Sequence, residues 1–411
     1  MPWRRTEPMM ERMQFVVEAL GEAFTMRELC ERYGISRKTG YKWLERFRQG
    51  GFAGLEERSR RPRTSPQATG AEVVERILAL RRRRPRWGAK KLLARLRALE
   101  PELALPSRST VHEILKRAAL VEPRRRRSGR GVGALVGAGG EASWPNACWT
   151  TDHKGQFRVG TGELCYPLTI ADAYSRYLLA CEGLANTSTD LARPVFERVF
   201  RACGVPERIL SDNGAPFGST ALLGLSRLSV WWLKLGIALT RIERGHPEQN
   251  GAHERMHRTL KAEAARPPAS TWRGQQRRLR AFRADYNEVR PHESLEGRTP
   301  ASCYVPSPRP YTNETPGLDY PLHYTRRQVR SGGDIKWRGR AIFVSEVLAG
   351  EPLGLEEIEE GTWAVYFGPL ALGRIMDRTG RFYAGRPKRT TTREPARAEP
   401  SHVSPMSPDS M

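Results

Sequence analysis

The chain is short of three things: long apolar runs, paired cysteines and acid. None of its 411 residues lies in an apolar run of about 18 or more, so no membrane-spanning helix is expected. The opening MPWRRTEPMMERMQF has no apolar stretch ahead of a small-residue cleavage site, which argues against a secretory leader. Six cysteines stand at positions 30, 148, 165, 181, 203 and 303, with no C-x-x-C pair and no Cys–His cluster spaced for zinc. They read as reduced, space-filling thiols of a cytoplasmic protein. Acid is scarce as well: 45 Asp+Glu face 69 Lys+Arg, a formal net charge of +24.

The excess of cations is uneven. Residues 1–140 hold 32 Lys+Arg against 15 Asp+Glu, and residues 141–411 hold 37 against 30. A basic N-terminal third points to a polyanionic partner, nucleic acid above all, and so to a nucleoid-associated place in the cytoplasm. Charge alone does not separate DNA from RNA or from an acidic protein.

The length implies several domains, and the texture divides them. In FTMRELCERYGISRKTGYKWLERFRQGG, Thr25 caps a short helix, Gly34 makes a turn and Ser36 caps a second helix. Leu29, Ile35, Leu44 and Phe47 would close a small core. That spacing predicts a helix-turn-helix over 1–60, with Arg37, Lys38, Thr39 and Lys42 facing DNA. Gly40 is out of place, since mid-helix it costs about 1 kcal/mol relative to Ala, though it would allow close helix contact. Residues 67–122 repeat the theme, and Ser107 caps a last helix bearing Arg108, Thr110 and His112. A basic, glycine-rich linker is expected over 123–145. From 146 to 304, strand-like segments precede alternating helices and strands, which predicts an α/β core with a mixed sheet. Residues 305–385 carry short alternating segments broken by glycine, the pattern of a small β-barrel. The composition of 386–411 predicts a disordered tail.

Acidic residues stand where core strands end. Asp152 lies inside a strand in WTTDHKG, where a carboxylate is disfavoured without a partner. Asp212 follows Ile209–Leu210 in ILSDNGAPF, and turn-making explains it as well as chemistry does. Asp172 in IADAYSR is a rival that Ser175 and Arg176 could bind. In ERGHPEQNGAHERMHRTLK, Pro247 and Asn250-Gly251 start a helix near 249–251. Ala252, Met256, Leu260 and Ala264 form its apolar stripe, and Glu254 faces away, with Arg258 and Lys261 on its own side. A solvated salt bridge and a metal ligand beside phosphate-gripping cations both fit that face. His153, His246, His253 and His257 are expected at the surface or facing DNA.

Taken in order, Asp152, SDNGAPF with Asp212, HPEQNGAHERMHRTLK with Glu254, and YNEVRPHESLEGRTPASCY closely resemble the catalytic core of retroviral-integrase-like DDE transposases of bacterial insertion sequences. The resemblance spans roughly 146–304 and implies an RNase H-like fold. It implies that Asp152, Asp212 and Glu254 hold two divalent ions, Mg²⁺ with Mn²⁺ as substitute. It further implies exposure of a 3′-hydroxyl at each element end, direct transesterification into target DNA, and a homo-oligomer on DNA. The interval of 41 residues between Asp212 and Glu254 is longer than the family's usual one. A long helix in STALLGLSRLSVWWLKLG is expected to absorb the excess, and Glu248 stays an alternative third ligand. A non-catalytic regulator and a nuclease that cuts without joining are the other readings of the whole chain.

Overall fold

Both N-terminal helix starts form as the capping residues dictate. The Thr25 hydroxyl accepts from the Glu28 amide while the Glu28 carboxylate takes the Thr25 amide, opening α2 (Met26–Arg32). Ser36 caps α3 (Arg37–Gly50) through the Thr39 amide, and Gly34 makes the turn at a φ of 64°. Both pack on α1 (Pro8–Leu20), around Phe15, Val16, Leu29, Cys30 and Leu44. A Cβ on Gly40 would meet Cys30 Sγ at 2.7 Å and Phe15 Cζ at 3.0 Å. The misplaced glycine is therefore what lets α3 seat against its neighbours.

The structure, a computed structural model, describes residues 8–57, 68–121, 142–242 and 250–385. Most of the expected linker and the C-terminal tail lie outside these residues, as do Glu243, His246 and Glu248. The chain divides into two compact units between Gly70 and Ala71. Among the described residues no helix is long and apolar enough to cross a membrane.

The second unit begins with a second trihelical module, α4 (Ala71–Arg83), α5 (Ala89–Leu99) and α6 (Arg108–Arg117), closed around Ile77, Trp87, Leu92, Leu96, Val111 and Leu115. A mixed sheet follows. Strand β1 (Trp149–His153) lies between antiparallel β3 (Leu164–Asp172) and parallel β5 (Arg208–Ser211). Beyond β5 is parallel β6 (Ala238–Arg241), and beyond β3 is antiparallel β4 (Leu178–Leu184). The short β2 (Phe157–Arg158) pairs with the start of β3. Helices α7 (Thr189–Cys203) and α8 (Arg227–Lys234) bury one face of the sheet, and α9 (Gly251–Leu260) and α10 (Trp272–Ala284) bury the other.

Two expectations need correction. The long helix expected between Asp212 and Glu254 does not form: Gly224 sits at a φ of 70°, and a Ser226–Ser229 capping box starts α8 only at Arg227. The extra residues are loop. The C-terminal segment is not a closed barrel. Strands β7 (Thr325–Gln328), β10 (Pro352–Glu359), β11 (Thr362–Phe367), β12 (Leu370–Met376) and β13 (Arg381–Ala384) form an open antiparallel sheet in the order 13-12-11-10-7. The separate hairpin of β8 (Asp334–Trp337) and β9 (Arg340–Phe343) lies beside both edges without pairing to either. Trp337 is packed, its Nε1 donating to Asp377, rather than displayed to a ligand.

Candidate active site

Strand alternation sets the site. On β1, Trp149 enters the apolar core on the α7–α8 side, while Thr150 and Asp152 reach residues of α9. Asp152 pairs across the ladder with Thr169 of β3. On the parallel side Thr151 pairs with Ser211, so Asp212, the next residue, stands beside Asp152 at the same end of the sheet. Glu254 is in the first turn of α9, exposed, with Arg258 and Lys261 also exposed. Among the described residues Glu254 makes no ion pair with Arg258, so the solvated i,i+4 bridge is absent.

The electrostatics bind these groups together. Burial pushes the Asp152 carboxyl up to about 7, with the Asp212 carboxylate adding to the rise and Glu254 contributing further; Lys154 offsets part of it. Burial also raises Asp212, against the Gly214 amide bonded to it at 3.2 Å and the Arg241 charge. Among the described residues no three His, Cys, Asp or Glu side chains close on one point. Asp152 lies on β1 and Asp212 directly after β5, whereas Glu254 stands exposed in the first turn of α9.

Behind Asp152 lies a network that the sequence reading missed. His253 and His257 are 3% and 5% exposed, not at the surface as expected. Thr169 Oγ1 lies 2.7 Å from Nε2 of each ring and 3.0 Å from the Asp152 carbonyl oxygen. Thr150 Oγ1 is 2.8 Å from His253 Nδ1, and His257 Nδ1 is 3.5 Å from Asp152 Oδ2. Burial drives His253 down to about 3 and His257 down to about 2, so both rings are neutral. If Thr169 donates to the Asp152 carbonyl, it accepts from both Nε2–H groups. The lone pair of His257 Nδ1 then faces the Asp152 carboxylate, acceptor against acceptor. That arrangement calls for a cation or a proton on the carboxylate, and a hard divalent ion suits the oxygen donors present. His153 is half-buried and stacked on Phe217, burial pushing it down to about 4.

The signal for the missed pair was available. His253 and His257 are four apart and flank Met256 and Leu260 on the helix, so the buried stripe is wider than Ala252, Met256, Leu260 and Ala264 alone. The rival Asp172 is a turn-builder: its carboxylate accepts from the Asn146 amide and from the Ser175 amide and hydroxyl. Arg176 reaches it only through space.

In the N-terminal module Arg37, Lys38 and Lys42 are exposed on α3, and Thr39 is half-buried with its hydroxyl 2.9 Å from that of Ser36. In the second module Arg108 and His112 are exposed, and the Thr110 hydroxyl is likewise tied to the cap Ser107. The threonines shape the helix starts, and the cations remain available to a ligand.

Family profiles match the N-terminal region and the core. A helix-turn-helix domain matches residues 11–63 and a homeodomain-like domain matches 39–115. Integrase core domain profiles match 142–247 and 235–300. The insertion element IS407 uncharacterized 31.7 kDa protein of Burkholderia multivorans is 26% identical over 243 residues, which cover 57% of this chain and 82% of that protein. The chain thus carries an integrase core domain behind helix-turn-helix domains and is similar to proteins of bacterial insertion elements. The insertion element IS136 uncharacterized protein Atu4601 of Agrobacterium fabrum is 29% identical over 167 residues, 38% of this chain and 80% of that one. A structure of the HTLV-2 integrase catalytic core domain in complex with magnesium aligns at a TM-score of 0.32 and 14% identity, over 39% of this chain and 98% of that chain. So distant a likeness adds no weight to the assignment, which rests on the integrase-core and helix-turn-helix matches.

Proposed function

We propose that this chain is a transposase that recognises the terminal inverted repeats of its own element, cleaves there, and joins the freed 3′-hydroxyl to target DNA by transesterification. The observation that carries the reading is Asp152 beside Asp212 at the ends of adjacent parallel strands, where burial and then the Asp212 charge push the Asp152 carboxyl up to about 7. Asp152, Asp212 and Glu254 are the groups that would hold two Mg²⁺ ions, with Mn²⁺ as substitute. When bound, these ions neutralise charge at the attacking and leaving oxygens of an in-line displacement. The chain's own part is positional. The Thr169–His253–His257 network fixes the strand segment that carries Asp152. Arg258 and Lys261, one and two turns beyond Glu254, hold phosphate oxygens. Arg37, Lys38, Thr39 and Lys42 of the first module, with Arg108 and Thr110 of the second, engage the repeats. One phosphodiester breaks as another forms, so joining needs no external energy source. Because two element ends react, a homo-oligomer assembles on DNA.

The test is purified protein with Mg²⁺ and DNA carrying candidate ends. Joined products support transposition, and cut but unjoined products make the chain a nuclease. DNA bound and never cut makes it a regulator and sinks the enzymatic reading.

A further inference from the structure

Away from the carboxylates, a cleft of about 350 Å³ opens between the second trihelical module and the 291–297 loop of the core. Lys90, Lys91 and Arg97 reach it from α5, Arg108 from the first turn of α6 and His292 from the loop, over a floor of Leu93 and Ala94. Among the described residues only Lys90 of these has an acid in contact, Glu293. Lys91, Arg97 and Arg108 form no ion pair among the described residues. Lys91 is half-buried, and burial followed by the neighbouring Arg290 guanidinium pushes its ammonium below the usual range. The Nε2 of His292 and the Nε of Arg290 are buried with no hydrogen-bond partner among the described residues. The other acid on the rim, Glu296, is exposed at a turn.

The cleft is built before any ligand arrives. Trp87 is 1% exposed in the core of the module, Val289 packs against that core, and the Arg290 guanidinium lies 5.8 Å from the Trp87 ring centroid. Arg84 is paired with Asp285, and Arg290 with Glu263 in the turn that continues α9. A preset concavity lined by unpaired cations matches a phosphate's acceptor-only oxygens.

We propose that this cleft seats a backbone phosphate of duplex DNA, so that the second helix-turn-helix module and the integrase core grip one strand together. The inference rests on the DNA-binding reading. It favours a DNA phosphate over free phosphate because Arg108 lines the cleft from the helix whose start is read as facing DNA. It also fixes the distance between the DNA held by α6 and the carboxylate site, since the module and core that share the phosphate are already docked.

The experiment measures binding of the full chain to a fluorescent duplex across a KCl series. Neutralising a phosphate contact makes the slope of log K against log [KCl] shallower by about 0.9 per contact. Lys91→Gln/Arg97→Gln is expected to lose about one such step, and Lys91→Arg to keep the wild-type slope. Arg97→Gln alone, at an exposed position that does not endanger folding, is expected to lose part of that step. Variants that bind DNA with the unaltered slope overturn the proposal and leave the DNA-binding reading standing. A wild-type chain that binds no duplex overturns both. In a parallel arm, inorganic phosphate that raises the wild-type Tm but not that of the double variant, together with an unchanged DNA slope, makes the cleft a free-anion site and also overturns it.

Discussion

The two faces of the central sheet are made from the same strands and have opposite characters. Toward α7 and α8, Trp149, Phe196, Phe200, Trp231 and Trp232 pack ring on ring, with centroids 4.9 to 5.8 Å apart. Toward α9, the apolar cluster of Cys165, Cys181, Met256 and Leu260 is interrupted by Thr150, Asp152, Thr169, His253 and His257. Burying those polar groups is costly, and a carboxylate facing a neutral imidazole nitrogen is costlier still. The aromatic face supplies the stability that the α9 face gives up in order to hold charge in place. Period-two alternation separates the two roles by a single residue.

The widest gap between the faces is expected in catalysis. Asp152→Asn, Asp212→Asn and Glu254→Gln should each lower DNA cleavage and joining by roughly 10³-fold or more, while end-DNA affinity by anisotropy stays within about twofold. Activity retained by Glu254→Gln and lost in Glu248→Gln would move the third ligand to the segment before α9. On the opposite face Phe200→Ala should cost about 3–5 kcal/mol in urea unfolding, because Phe200 is fully buried against four aromatic rings. Between these lies Thr169→Val, nearly the same shape without the hydroxyl. It leaves two buried imidazole nitrogens unpaired, at about 1–3 kcal/mol. It should also slow strand cleavage without weakening DNA binding; an unchanged rate would reduce the network to packing.

Much of this contrast was legible in the residues. An aspartate inside a strand-like run, a second after a buried Ile-Leu pair and a helix start at Asn250-Gly251 placed candidate carboxylates among which the family resemblance alone chose, while strands followed by alternation gave the mixed sheet. Local caps gave both trihelical modules. What escaped depends on partners distant in sequence. His253 and His257 look like polar helix residues until Thr169, 84 and 88 positions away, is placed beside them. Whether β13 and β7 meet depends on the curvature of the whole sheet, and alternation within each strand is the same for an open sheet and a barrel. The misjudged α8 had a local signal, since Gly224 followed by a Ser-x-x-Ser start breaks the helical run. The strong Leu/Trp pattern outweighed it. Gly40 reads as an oddity that close helix contact would justify, and Cys30, Phe15 and Met26 are the neighbours that make that contact.

The smallest effect separates the faces by pH. In the folded chain Asp152 titrates near 7, well above the ordinary carboxyl value of 3.8. Its contribution to stability is therefore fully present below about pH 4 and is lost as pH rises through about 7. Above that, the ionised carboxylate works against the fold, and Asp152→Asn removes the penalty. In thermal melts the variant should match the wild type at pH 4 and exceed it by a few degrees at pH 8, at roughly 2–4 °C per kcal/mol. His253 and His257 act in the reverse direction: neutral when folded, they withdraw stability as pH falls below about 6.5, equally in both proteins. Mg²⁺ should raise the wild-type Tm at pH 8 and leave that of Asp152→Asn unmoved, since it binds the ionised group. Phe200→Ala, by contrast, should lower Tm by the same amount at every pH. A difference between Asp152→Asn and wild type that did not vary with pH would mean that Asp152 is held no differently from the residues of the aromatic face.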